Sequence, residues 1–224
     1  MSKRYVEAAK VVDKEKLYAV EEAIRLAKQT ASVKFDAAID VHIKLNIDQK
    51  QSDQRVRTQV MLPHGTGKKI KVAAFVSGAK EKAAKDAGAD VVGGEELVKQ
   101  IKETGKTDFD VAVAEPALMR SLASVAKILG QRGLMPNPKA GTVGEDIAKL
   151  VKELKSGKVE ITNDESGVIH QIIGRASFGE EQLLENFKTV KDALHRAKPA
   201  SVKRDFIGSI TVAATMGPGI KVKN

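Results

Sequence analysis

Between residues 35 and 45 the chain alternates: Phe35, Ala37, Ile39, Val41, Ile43 and Leu45 fall on one phase, Asp36, Ala38, Asp40, His42 and Lys44 on the other. A period of two is the signature of a strand with one face in a core and the other in water. Upstream, Leu17, Val20, Ile24 and Ala27 recur at helical spacing behind Asp13, which predicts a helix capped by Asp13. Downstream, a polar connection over residues 46–53 leads to an apolar-rich run at 56–62, expected to be an antiparallel neighbour of the first strand.

From residue 70 the pattern changes to short apolar runs between helical segments. Strands are expected near 70–76, 90–92 and 109–113, and helices near 79–87 and 95–103, with Gly88 and Gly105 at or near their C-caps. Pro116 suits the first turn of a further helix running toward Gly130. Strands of this kind between helices make parallel βαβ units, hence a small three-layer α/β domain. Residues 131–142, with Gly133, Pro136, Pro138 and Gly141, cannot continue a helix. Arg132 and Lys139 lie on that loop, and phosphate contact and simple solvation both remain open for them. Thr142 and Glu145 have capping-box spacing for a helix that carries Ile147, Leu150, Val151 and Leu154 on one face and ends at Gly157.

Strand-like segments at 158–162 and 168–173 flank a turn at 163–167, which predicts a hairpin. Ser177 and Glu180 read as another capping box, followed by Leu183, Leu184, Phe187, Val190 and Leu194 on one helical face and a stop before Pro199. The last strand, 206–214, delivers Thr215-Met216-Gly217-Pro218-Gly219. In that loop the glycines permit φ > 0 or close approach to a ligand, and Pro218 fixes its own φ.

Residues 1–67 therefore read helix, strand, strand, and 159–224 read strand, strand, helix, strand. Neither has enough elements to stand alone. Joined, they form one discontinuous α+β sheet domain into which the α/β domain at 68–158 is inserted. The two adjacent connections, Pro63-His64-Gly65-Thr66-Gly67 and Gly157, are expected to act as a hinge. Gly-Thr-Gly-Lys at 65–68 is not a phosphate loop: Leu62 stands where the first Gly belongs and Lys69 where Ser or Thr belongs. No G-x-G-x-x-G follows any strand of the inserted domain.

The 224 residues carry a net charge of +9 and a pI near 9.5, a balance that favours a polyanionic partner. The excess is +3 over residues 1–67, +5 over 68–158 and +1 over 159–224, so charge alone does not locate a surface. Aromatic content of 4% and no Trp argue against a platform for threading single strands, leaving structured RNA or DNA. With no cysteine there is no disulfide, no thiolate nucleophile and no Cys-based zinc site. No apolar run approaches the length of a membrane helix, and the N-terminus lacks the apolar core of a secretory signal; a cytoplasmic protein is expected. His42, His64, His170 and His195 show no metal-ligand spacing and no nucleophile motif accompanies them, so no catalytic residue, metal or cofactor is expected. A DNA-binding repressor is disfavoured by the lack of a helix-turn-helix signature or basic helix.

Four motifs in order, Val33-Lys34-Phe35-Asp36, Leu62-Pro63-His64-Gly65-Thr66-Gly67-Lys68, Gly133-Leu134-Met135-Pro136-Asn137-Pro138 and Thr215-Met216-Gly217-Pro218-Gly219, resemble the large-subunit ribosomal protein L-one family of bacterial type. The resemblance covers essentially the whole chain. It implies a discontinuous RNA-binding domain with a Rossmann-like insertion and a place on the mobile ribosomal stalk beside the tRNA exit site. Its implied partners are large-subunit ribosomal RNA, exit-site tRNA and the protein's own operon messenger, whose translation it would repress, with a monomer outside the ribosome. The RNA contacts it implies are Lys34, Phe35, Ser209, Thr215, Met216 and Gly217, the last three within a loop completed by Pro218 and Gly219. Hydroxyl residues often precede Thr-Met-Gly in that family, whereas Ala213 and Ala214 stand here and offer no such contact. Strand phase sets Phe35 on the face of Ala37 and Ile39, which leaves a core-edge ring and a stacking ring as alternatives.

Overall fold

The computed structural model describes residues 3–48, 51–202 and 205–223. In chain order its elements are α1 (Lys3–Lys10), α2 (Val20–Thr30), β1 (Ala38–Leu45), β2 (Arg57–Met61), β3 (Val72–Phe75), α3 (Gly78–Asp86), β4 (Val91–Gly93), α4 (Glu95–Thr104), β5 (Val111–Ala114), α5 (Met119–Leu122), α6 (Ala126–Gln131), α7 (Ile147–Lys155), β6 (Lys158–Thr162), β7 (Val168–Arg175), α8 (Glu180–Arg196), β8 (Ile207–Ala214) and β9 (Ile220–Val222). They form two compact units, Met1–Gly67 with Val159–Asn224, and Lys68–Lys158. The mixed α+β and three-layer α/β architecture is the one the hydrophobic patterns predict.

The discontinuous unit is built on a four-stranded sheet in the order β7-β1-β8-β9, antiparallel throughout. β1 is central, and its inward phase, Ile39, Val41, Ile43 and Leu45, is fully buried with Ile24 and Ala27 of α2 and Leu183, Phe187 and Val190 of α8. Both helices therefore cover the same face. The outward phase, Asp40, His42 and Lys44, lies beside His170 of β7 and Ser209, Thr211 and Ala213 of β8.

Three local expectations fail here for identifiable reasons. β2 does not join β1, because β7 and β8 already occupy both edges of β1; it pairs with β6 in a separate two-stranded sheet. With β6 paired to β2, β6 and β7 form no hairpin ladder: an isolated Asn163↔Ile169 bridge lies between them, and Asp164 closes the turn by accepting the N–H groups of Ser166 and Val168. The helix expected behind Asp13 starts at Val20. Asp13 accepts Glu15 N–H locally, while Tyr18 donates to Lys221 O and accepts Lys223 N–H, adding a parallel rung beside β9. Leu17 is left exposed.

The inserted unit has the parallel order β4-β3-β5. All four residues of β3 are buried, as a strand covered on both faces must be. Ala73 and Phe75 face a cluster with Val98, Ile101 and Leu122, and Val72 and Ala74 face Ala84, Ile147 and Val151. The cap of α7 is Asp146, which accepts Lys149 N–H; Thr142 is drawn instead to Asn137, where its hydroxyl closes the 137–142 loop. Arg132 donates to Thr107, and the side chain of Lys139 lies outside the described residues. At α8 the cap is Gly179, whose N–H goes to Gln182 Oε1, because Ser177 is bound to Asp36.

The run at 63–67 is not a loose connection. Asn186 of α8, fully buried, donates to Gly65 O and Ile173 O and accepts His64 N–H, while His64 Nε2 lies 2.7 Å from Glu185 Oε2. A Cβ on Gly67 would stand 2.7 Å from Arg175 Cγ and 3.0 Å from the Phe178 ring, at φ +71. Those five residues are thus part of the discontinuous unit.

Candidate nucleic-acid interface

The C-terminal motif forms the turn of a hairpin, because a short strand, β9, returns after Gly219 beside β8. Thr215 binds this turn to the start of β1. Its N–H donates to Ala38 O at 2.9 Å, and its Oγ1 accepts Ala38 N–H at 3.1 Å and donates to Ala38 O at 3.3 Å. The hydroxyl hydrogen is thereby used within the protein, and Thr215 positions the loop and retains at most one acceptor lone pair. Gly217 N–H closes the turn on Ala214 O at 2.8 Å, above the end of α2.

Met216 takes the left-handed conformation expected of the glycines, at φ 64. Neither Gly217 nor Gly219 has positive φ. An unbranched non-glycine residue held there costs about 1 kcal/mol, and the result is a methionine side chain 67% exposed at the tip of the turn. What Gly217 avoids is crowding: a Cβ there would lie 3.1 Å from Ala214 O.

Phe35 is 56% exposed and precedes the strand, so the core-edge alternative is excluded and the ring faces solvent. Its segment is fixed from the β7 end. Arg175 donates to Asp36 O at 3.1 Å, Ser177 donates through N–H and Oγ to the Asp36 carboxylate, and Ala176 N–H reaches Ala37 O. Lys34 is exposed and its side chain has no hydrogen bond or ion pair among the described residues. One margin of the sheet therefore carries both the segment of Lys34 and Phe35 and the turn Thr215–Gly219, tied at Ala38 and Thr215, as a lip with two exposed apolar side chains. Pro218 is buried beneath it.

Ser209 is elsewhere. It pairs with Lys44, at the other end of β8 from Ala214, roughly 17 Å along the strand at ~3.4 Å per residue. It lies on the open face of the sheet, with Thr211, His42 and His170. Next to it Leu17, Gly208, Ser209, Thr211, Lys221 and Lys223 line a groove of about 400 Å³. Sequence reasoning misses this groove because β9 and the Tyr18 rung that frame it are not legible locally. On the same face His42 Nδ1 is 2.7 Å from His170 Nδ1. Burial first, and then the neighbouring His170, lower the pKa of His42, against the opposing influence of Asp40. Burial raises the Asp40 carboxyl. Among the described residues no three His, Asp or Glu side chains converge to hold a metal ion.

The sequence profile of the ribosomal protein L1p/L10e family matches residues 27–218. A large ribosomal subunit protein uL1 of Thermosipho africanus is 51% identical over 99% of this chain and 95% of its own length. The proteins of the same name from Kosmotoga olearia and Lactobacillus delbrueckii subsp. bulgaricus are 52% and 51% identical, over 99% and 98% of this chain and 95% of their own lengths. The chain belongs to the ribosomal protein L1p/L10e family.

Proposed function

We propose that this protein is a structural constituent of the large ribosomal subunit, in the cytoplasm, and that its discontinuous unit binds ribosomal RNA through the lip and the open sheet face. The family is one of structural ribosomal proteins and not of enzymes, in line with the expectation that no residue is catalytic. The observation that carries the RNA reading is the lip itself. Thr215 and Ala38 fix the backbone, Phe35 and Met216 are held out to water, and Lys34 is free for phosphate. Exposed apolar side chains on rigid backbone read the shape of folded RNA through bases and sugars, and a free lysine supplies charge. Ser209 and Thr211 offer hydroxyls to ribose or phosphate along the face. Within this reading the protein also contacts exit-site tRNA on the stalk, represses its own messenger by presenting the same surface to it, and is monomeric off the ribosome. Bending between the units is assigned to Lys68-Lys69 and to Gly157, which has φ 107, with Pro63–Gly67 as the fixed side of the hinge.

The test is binding of the full chain to a folded large-subunit ribosomal RNA fragment, a random RNA and duplex DNA at two salt concentrations. A preference for the folded fragment that persists at high salt is expected, and preference for duplex DNA would overturn the reading. A variant lacking residues 70–156, closed by a short Gly/Ser linker, should remain folded and keep that preference. A folded variant that does not bind would move the site to the inserted unit.

A further inference from the structure

His42 and His170 are directly opposite each other in the β1/β7 register, on the face that no helix covers. Their Nδ1 atoms are 2.7 Å apart, so a single proton is shared between them. Asp164 Oδ2 lies 3.4 Å from His170 Nε2, and a carboxylate there favours the tautomer with the proton on that nitrogen. His170 Nδ1 is then the acceptor and His42 Nδ1 the donor, which leaves His42 Nε2 as a bare lone pair. The groups facing the pair are Asp40 and Lys44 from β1, Ser209 and Thr211 from β8, Asp164 from the turn before β7, and Lys221 of β9 beyond Thr211. Arg175, at the end of β7, acts on Asp40.

This arrangement accepts one proton without rearrangement. Protonation at His42 Nε2 makes an imidazolium whose Nδ1–H still donates to His170, and whose new N–H points away from that bond. A second proton, on His170 Nδ1, would break the contact. Building on the ribosomal RNA reading, we propose that His42 is a phosphodiester seat completed by protonation, so that RNA binding on this face takes up one proton from solvent at the His42–His170 pair. In the free protein, burial and His170 hold His42 mainly neutral at neutral pH. A bound phosphate supplies the negative charge that Asp40 alone does not. The sign follows from linkage: the proton is bound more tightly in the complex, so affinity falls as pH rises through the window between the free and bound titrations of His42.

The experiment is a titration of the full chain with the folded ribosomal RNA fragment at about pH 6, 7 and 8, at constant ionic strength. Proton uptake is read by calorimetry in two buffers of different ionisation enthalpy. The expected result is a loss of affinity of about tenfold across the range, set by one linked proton, with matching proton uptake. His42→Gln should flatten the profile to within about twofold, since an amide cannot titrate, whereas His170→Gln keeps the His42 imidazole and should keep a slope. A flat wild-type profile with tight binding, or an unchanged slope in His42→Gln, overturns the proposal and leaves the RNA reading standing. Failure to bind the fragment at any of these pH values overturns both.

Discussion

At the carboxyl ends of β3 and β5 the inserted unit closes its sheet with its own charges, whereas the margin of the antiparallel sheet in the other unit leaves Lys34 without an ion pair among the described residues and Phe35 and Met216 exposed. The crevice where strand order reverses in a parallel sheet is where α/β folds receive anionic ligands. Here Glu115 fills it. Its Oε2 accepts the Ser77 N–H and hydroxyl at 3.2 and 2.8 Å, and its Oε1 accepts Lys80 Nζ at 2.8 Å. Lys68, Lys155 and Lys158 of the same unit are likewise taken by Asp110, Asp90 and Glu153. At the lip of the other unit Lys34 has no such partner among the described residues, and Phe35 and Met216 are exposed beside it. In the inserted unit Lys68, Lys80, Lys155 and Lys158 are thus held by its own carboxylates, whereas the lysine at the lip is not. Net charge indicates the class of partner, and the balance of paired against unpaired groups indicates the surface.

The strongest way to break this comparison is to alter the lip without altering its charge balance elsewhere. Met216→Asp should reduce affinity for the folded ribosomal RNA fragment by about a hundredfold, or about 2.7 kcal/mol, and affinity for random RNA by far less. Gly217→Val should match or exceed it, since the added Cβ starts 3.1 Å from Ala214 O. Thr215→Val leaves Ala38 N–H without its side-chain acceptor, a cost of about 1–3 kcal/mol in loop placement. Parallel binding curves on both RNAs, with circular dichroism as a folding control, decide the matter. Equal losses on the two RNAs would mean that the lip contributes charge and not shape.

A smaller effect is expected from the closed crevice, and on a different readout. Lys80, then the Ser77 hydroxyl and N–H, hold the Glu115 carboxyl at about 2, against an ordinary value of 4.5. A depressed carboxylate stabilises the fold above its unfolded pKa, and the contribution is lost as pH falls from about 4.5 toward 2. Glu115→Gln should therefore destabilise the inserted unit by about 2 kcal/mol at neutral pH and lessen its sensitivity to acid in that window. RNA affinity should stay within about twofold of wild type, because the side chains proposed to position and read RNA lie on the other unit. A Glu115→Gln protein with normal stability and weakened RNA binding would reverse the roles given to the two margins.

How much of this is legible in the sequence varies with the range of the interaction. The alternation in β1 and the Gly-punctuated strands of the inserted unit are local patterns, and both survive because the core demands them. The partner of β2 is not legible, since β6 lies about a hundred residues away and pairing depends on which edges of β1 are already filled. The start of α2 is hidden because Tyr18 bonds to Lys221 and Lys223, across the whole chain. At the lip, the sequence identifies the residues but not their conformations. Gly-Pro-Gly promises positive φ at glycine, but the tie between Thr215 and Ala38 fixes the turn so that Met216 takes it. Phe35 reads as part of a strand until Asp36 is seen bound to Ser177 and Arg175, which ends the ladder at Ala38.

The smallest expected effect separates a free cation at the lip from a free cation away from it. Lys34 and Lys85 are both exposed lysines, the first beside Phe35 and the second on α3 of the inserted unit. A lysine that neutralises a phosphate releases a counterion, so its removal weakens every RNA by a similar factor and lowers the slope of log affinity against log salt by about one unit. Lys34→Ala should show that signature, with a loss of about threefold near physiological salt that is the same for folded and random RNA. Lys85→Ala should leave both affinity and slope unchanged, although it removes a charge from the unit with the larger excess. Salt titrations of the two variants on the folded fragment measure the difference directly. A reduced slope in Lys85→Ala, or an unchanged one in Lys34→Ala, would place the phosphate path on the inserted unit and remove the contrast between the two margins.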